Sequence, residues 1–264
     1  MKRMQDVGSV WEGQPAYLDF PPSMYGLGEG CNYFGLRKAY YLYHGNNEAS
    51  LRKLAHLDEV ICDISIWRYR KVVDAAETVG WGVNHEQDPQ VITEEAGKVS
   101  LLSQSFPNVR GAMLDDFQYA IRSQGYTAET CADIAAALKE HDPQLRLCST
   151  VYTHELESCD WTSFKELIDV VYLWVWESKD LLKLDEEVVR CREIFPGKPI
   201  VMGCYLKDYT LKAAVPMDLL RHQWERIPGW LEKGALDGFC ILAACLIERY
   251  PEQAEWVRDF IKAN

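Results

Sequence analysis

The chain predicts an α/β fold, a single (β/α)8-type (TIM) barrel with an irregular first strand or some other distortion of its wall. Three observations lead there. From residue 36 onward, apolar strand-like runs alternate with helix-like stretches, the pattern of parallel strands joined by helical crossovers. Three of those runs share one design: Gly111-Ala-Met-Leu-Asp-Asp-Phe117, Val170-Val-Tyr-Leu-Trp-Val-Trp-Glu177 and Ile200-Val-Met-Gly-Cys-Tyr-Leu-Lys-Asp208 each break into carboxylates and aromatics at their C-terminal end. A parallel barrel gathers such residues around its mouth. A length of 264 residues also suits one barrel.

The candidate strands, in order, are residues 40–44, 59–65, 111–116, 146–153, 170–177, 199–206 and 238–246. An eighth is expected in 16–20 or 24–28. Between them, 127–141 reads as a helix with Thr127 as N-cap, 179–194 as one stopped by Pro196-Gly197, and 216–234 as one opened by a proline and closed by a glycine. Residues 252–263 form the last. Residues 66–100 read as a long loop over the mouth or as packing. An open doubly wound sheet is the rival, but no glycine-rich fingerprint opens a helix after the first strand; Gly26-Leu-Gly-Glu-Gly30 reads as a turn. The whole of 1–264 is expected as one domain, with 1–35 an N-terminal extension packed on it.

Composition narrows the function classes. A net charge of −12 argues against nucleic acid or an anionic membrane as partner, since both need a basic patch. No run reaches the roughly 18 apolar residues of a membrane span. The N-terminus, Met1-Lys-Arg-Met-Gln-Asp-Val7, lacks the apolar core of a signal peptide, so a cytoplasmic location is expected, although a leader already removed would leave no trace. The nine cysteines are odd in number and show no CxxC spacing, which reads as reduced, buried thiols rather than a disulfide framework or structural zinc site.

Strand parity assigns faces. In 60–65 the face with Val60, Cys62 and Ile64 is wholly apolar and should meet the helices, which turns Asp63 inward. In 146–153, Cys148, Thr150 and Tyr152 share the lumen-like face, with His154 beyond. In 170–177, Trp174 and Trp176 share a face with Tyr172, and Glu177 falls on the other; it reaches the mouth only if the strand has already given way to loop.

Candidate chemistry follows from these ends. Asp115-Asp116 is the strongest signal: adjacent acids at a strand end repel each other and point to opposite faces unless the backbone turns. Glycoside hydrolysis needs a second carboxylate, for which Glu155 and Glu177 are the candidates. His44, Asp63, Trp67, His154, Trp174, Trp176, Tyr205 and Asp208 are candidate substrate contacts, through indole stacking on sugar C–H faces or hydrogen bonds to hydroxyls. Competing readings are helix capping for the aspartates, a solvated loop for Glu155, barrel packing for the tryptophans, and turn chemistry for Asp208 and for His44-Gly45-Asn46-Asn47. No HxH or HExxH spacing occurs, so no metal site and no cofactor is assigned.

The sequence resembles a set of mostly uncharacterised bacterial proteins with glycoside-hydrolase-like TIM barrels. The likeness spans about residues 40–262. It rests on His44-Gly-Asn-Asn47, Val60-Ile-Cys-Asp-Ile-Ser65, Met113-Leu-Asp-Asp-Phe117, Leu173-Trp-Val-Trp-Glu-Ser-Lys-Asp-Leu181 and Gly203-Cys-Tyr-Leu-Lys-Asp-Tyr209. It implies weight on Asp115, Asp116, Asp208 and the aromatic strand end. Relatives often carry a different residue in place of Glu177, which weighs against a nucleophile there. The expected function is a glycosidase acting on a small saccharide or glycoconjugate through a carboxylate pair. The alternatives are a metal-assisted sugar isomerase, epimerase or lyase, and a non-catalytic carbohydrate-binding barrel. The expected partner is a small carbohydrate, with a homo-oligomer left open.

Overall fold

The computed structural model describes residues 3–13, 23–42, 45–65, 67–73, 79–85 and 88–264, with 67–73 and 79–85 described through their backbone. Eight parallel strands close a barrel. They are β1 (Gly8–Trp11), β2 (Lys38–Tyr41), β3 (Glu59–Asp63), β4 (Val109–Leu114), β5 (Arg146–Tyr152), β6 (Val170–Trp174), β7 (Ile200–Tyr205) and β8 (Gly238–Leu242). Each strand pairs with its neighbour in chain order, and β8 returns to β1. The (β/α)8 expectation therefore holds, with the strands' C-terminal ends on one rim.

The missing strand is Gly8–Trp11, inside the stretch read as an extension. Of the two places proposed for it, 16–20 lies outside the described residues. The other, 24–28, runs into the helix Leu27–Phe34. At four residues, β1 is too short to show a strand period, yet it is paired on both edges: Trp11 sits opposite Leu242 on one side and Tyr40 on the other.

Several strands end earlier than their apolar patterns do. The ladders stop at Tyr152, Trp174 and Leu242, and the residues beyond curl into the tight turns Thr153–Glu155, Ser178–Lys183 and Ala244–Leu246. Those turns form the mouth. Thr127 caps the helix Ala128–Lys139, its hydroxyl accepting from Thr130 N–H at 3.2 Å. Residues 216–234 divide into Met217–Trp224 and Ile227–Glu232, the second carrying a proline in its first turn. The unreadable stretch 66–100 contains an antiparallel hairpin, Trp67–Val73 with Val79–His85, and the helix Pro89–Ser103.

Parity is visible in the lumen. Tyr40 on β2 meets Tyr172 on the opposite wall, ring centroids 5.4 Å apart. Trp11 stacks on Tyr40 at 4.1 Å and meets Trp174 edge-on at 5.2 Å. The lumen is thus filled by rings below the mouth. All nine cysteines are free thiols, eight of them buried; burial pushes Cys148 and Cys240 up to about 12. Among the described residues no helix is long and apolar enough to cross a membrane.

Candidate active site

A cavity of about 330 Å³ opens at the C-terminal ends of the strands. Its floor is Trp11, Trp174, Thr150 and Leu242. Asp115, Asp116, Tyr152 and Glu155 form one wall, Tyr205, Tyr209 and Trp176 another, with Tyr119 and His154 toward the rim.

The backbone solves the parity problem of the adjacent aspartates. Asp115 continues the lumen face of β4. Asp116, which should point away, instead adopts the left-handed conformation (φ 47°, ψ 44°) as the first residue before the helix Phe117–Gln124. That conformation is costly for a side chain with a Cβ and is tolerated where surrounding structure enforces it. Enforcement comes from the Asp116 N–H, which donates to Thr150 Oγ1 at 2.8 Å and to Asp115 Oδ1 at 3.0 Å. The turn brings both carboxylates to one cavity.

Burial pushes the Asp115 carboxyl well above the usual carboxylate range, and the nearby charges of Asp116 and Asp63 push the same way. Burial also raises Asp116, but Tyr152 OH donates to its Oδ1 at 3.2 Å and favours the ionised form. Asp116 N–H and the Thr150 side chain do the same for Asp115, against its burial and two neighbouring carboxylates.

Glu155 is the third carboxylate. It lies in the turn Thr153–Glu155 with only 8% of its surface exposed. Oε2 accepts from Tyr152 N–H at 3.0 Å. The Gln118 amide nitrogen, turned toward it, donates to Oε1 at 2.9 Å. Burial outweighs these bonds and pushes Glu155 up to about 7. Such a group is half protonated at neutral pH, as a general acid requires.

The aromatic side is held by packing. A Cβ at Gly203 on β7 would run into the Trp174 ring, so glycine there lets the indole lie flat against the sheet. Trp174 leans on Tyr205 at 4.7 Å, and Trp176 stacks on Tyr209 at 5.3 Å with a 15° interplanar angle. Trp176 keeps 41% of its surface exposed, a ring face available to an apolar sugar face. His154 stacks on Tyr152 at 5.5 Å, and burial lowers its pKa.

Other expected site residues lie elsewhere. Glu177 falls outside the cavity lining, its carboxylate paired with Lys179. It lies beyond the end of β6, as the residue before the turn Ser178–Lys183. Asp208 is a loop tie, accepting from Ser178 N–H at 2.9 Å and Leu211 N–H at 2.7 Å. Burial works to raise its pKa, but these bonds together with the Ser178 side chain and Thr210 N–H hold it below the usual range. Asp63 is buried beneath the site, Oδ1 accepting from Ser65 N–H at 2.8 Å. His44 and the Trp67 side chain lie outside the described residues.

Trp11, Tyr119, Thr150, Tyr152, Tyr209 and Leu242 line the cavity without having been named as substrate contacts. Two signals were present. Thr150 and Tyr152 share the lumen parity of β5. Gly8-Ser-Val-Trp-Glu12 has the same apolar-to-aromatic-to-acid ending as the three marked strands. Among the described residues, no group of three or more His, Cys, Asp or Glu side chains is placed to hold a metal ion.

No family model and no curated protein matches the chain. Solved structures match it in shape. The glycoside hydrolase domain of PgaB (BpsB) from Bordetella bronchiseptica superposes with a TM-score of 0.57 at 11% identity, over 97% of this chain and 99% of that one. The β-D-glucuronidase of Dictyoglomus thermophilum gives 0.56 at 12% identity over 89% of this chain, which spans 46% of that enzyme's length. The type I 3-dehydroquinate dehydratase of Clostridium difficile gives 0.51 at 11% identity, over 98% and 94% of the two chains. At such identities the likeness shows the barrel fold, and the dehydratase illustrates that one barrel hosts different reactions.

Proposed function

We propose that this barrel is a glycosidase, with Glu155 as proton donor and Asp116 as its ionised partner, acting as base or nucleophile. The observation that carries the reading is one cavity holding two carboxylates in different environments: Glu155 raised to about 7 by burial, and Asp116 given a phenolic donor by Tyr152. Pairs of acids whose surroundings divide them into donor and acceptor are the requirement of glycoside hydrolysis. Asp115, its carboxyl pushed up by burial, positions Asp116 by accepting from its N–H. Trp176 and Tyr209 offer stacking surfaces for a sugar ring. The glycoside hydrolase domain that covers nearly the whole chain supports the same reading.

The test is turnover on a panel of chromogenic glycosides and natural oligosaccharides. Asp116→Asn and Glu155→Gln should each lower the rate by about 10²–10⁴, the usual worth of a positioned acid or base, while remaining folded. Full activity in both variants would remove the site from this cavity. Sugar binding by a wild type that turns over nothing would favour a carbohydrate-binding barrel.

A further inference from the structure

The cavity has a sign. Its described lining contains three carboxylic acids, three tyrosines besides Tyr119, and three tryptophans; among those described residues, His154 is the sole side chain able to become cationic, and burial disfavours that form. Among the described residues, Arg122 and Lys207 stand outside the lining. Arg122 donates to Ser158 O at 2.9 Å and its charge favours ionised Glu155 from there, while the Lys207 ammonium sits over the Tyr209 ring at 5.1 Å. Asp116 and Glu155 are held instead by neutral donors, Tyr152 and Gln118. The Trp176 ring, 41% exposed and lining the same cavity, offers a flat apolar surface to a sugar's C–H face.

We propose that the site selects its sugar by charge, excluding rings that bear a carboxylate and favouring a ring that carries a protonated amine over its uncharged counterpart. Trp176 and Tyr209 would stack on the ring. The wall carboxylates would take the ammonium, a compact cation with three donors. A carboxylate on the ring would instead enter a low-dielectric cleft already holding negative charge, where repulsion is far stronger than in water. This inference rests on the glycosidase reading and deepens it. It also sets the chain apart from the glucuronidase that it resembles in fold.

The experiment uses the intact chain and two matched sugar series: glucose, glucosamine and glucuronic acid, and galactose, galactosamine and galacturonic acid. Binding is read by quenching of tryptophan fluorescence, since Trp11, Trp174 and Trp176 line the cavity. At about pH 7 and 0.15 M salt, remote surface charges are screened beyond roughly 8 Å, so the comparison reports the cavity. In at least one series the amino sugar should bind about 10-fold or more tighter than the uronic acid, with the neutral sugar between them. In Asp116→Asn and Glu155→Gln that span should narrow by about 3-fold or more. A uronic acid that binds as tightly as its amino counterpart overturns the charge proposal and leaves the glycosidase reading standing. So does an unchanged span in both variants. Absence of binding throughout both series, with no turnover of any glycoside, overturns both.

Discussion

The two ends of the barrel hold acidic residues in opposite ways. At the strand starts, three acids among the described residues each have a cation. Glu59 opens β3 and meets Arg146 at 2.7 Å; Asp169 precedes β6 and meets Lys139 at 2.7 Å; Asp237 precedes β8 and meets Arg192 at 2.7 Å. Two of them also accept backbone N–H groups of neighbouring strands, Asp169 from Leu147 at 2.8 Å and Asp237 from Ile200 at 2.9 Å. These pairs lace adjacent strands together at fixed register. At the strand ends, Asp116 and Glu155 receive neutral donors in a buried wall, and both are harder to ionise than an ordinary carboxylate. The closed end spends its acids on holding the fold, and the open end keeps its acids poised for protons. A barrel's stability and its chemistry are separated along its axis.

The largest effects should come from breaking that separation at the open end, through the rate losses expected for Asp116→Asn and Glu155→Gln. At the closed end the expected damage is to stability alone. Arg192 donates to Asp237 Oδ2, to Lys198 O at 2.6 Å and to Ala235 O at 3.0 Å. Arg192→Met should lower unfolding free energy by about 2–4 kcal/mol, because a partly buried carboxylate and two carbonyls lose their donor. Chemical denaturation would measure it, and kcat per folded molecule should stay within about twofold of wild type. A loss of kcat to match would mean that the two ends are not independent.

Much of this division could be read from the sequence. Seven strands, their parallel order and the mouth's aromatic and acidic character were legible, because apolar runs ending in Asp115-Asp116 or Trp174-Val-Trp176 mark both a strand and its exit. Parity placed Thr150, Tyr152 and Trp174 on the lumen side, where the structure has them; Trp176 and Glu177 lie beyond the end of β6, where parity no longer applies. Two things were hidden. The first strand is four residues long and carries no period of its own; its pairing with β8 supplies its identity. The joint reach of Asp115 and Asp116 depends on one left-handed residue, and no local pattern announces it: the sequence carries aspartate, not glycine, at that position. The turn that buries Glu155 was likewise illegible, since its carboxylate is desolvated by the fold around it and not by its neighbours in the chain.

A smaller effect separates the two ends by pH. Glu155 has its folded pKa raised, from 4.5 to about 7. The folded state therefore binds this proton more tightly than the unfolded state does. The favourable contribution is fully present below about pH 4.5 and is lost as pH rises through about 7. Glu155→Gln should stabilise the protein by roughly 1–3 kcal/mol at about pH 8 and confer no such gain at about pH 4. Thermal melts of the two proteins across that range would check this. A gain independent of pH would mean that charge burial is not its source. The variant thus trades activity for stability, as a desolvated functional acid should.

The smallest effect is expected at Glu177. Its carboxylate faces Lys179 at the surface, and exposed pairs contribute roughly 0–1 kcal/mol. On the glycosidase reading, Glu177→Gln should leave the rate within about threefold of wild type on any glycoside the protein turns over. A loss of a hundredfold would bring Glu177 into the cavity during the reaction and make it the partner of Glu155.

The most direct measurement is the pH dependence of kcat/KM for hydrolysis, wild type against Glu155→Gln. If Glu155 donates the proton, activity in the wild type falls as pH rises through about 7, because the donor loses its proton there. The Gln variant, working at a much lower rate, should lack that falling limb. A wild-type profile that stays flat from about pH 6 to 8, or a Gln variant that keeps both the limb and the rate, would contradict the assignment of this cavity as the active site.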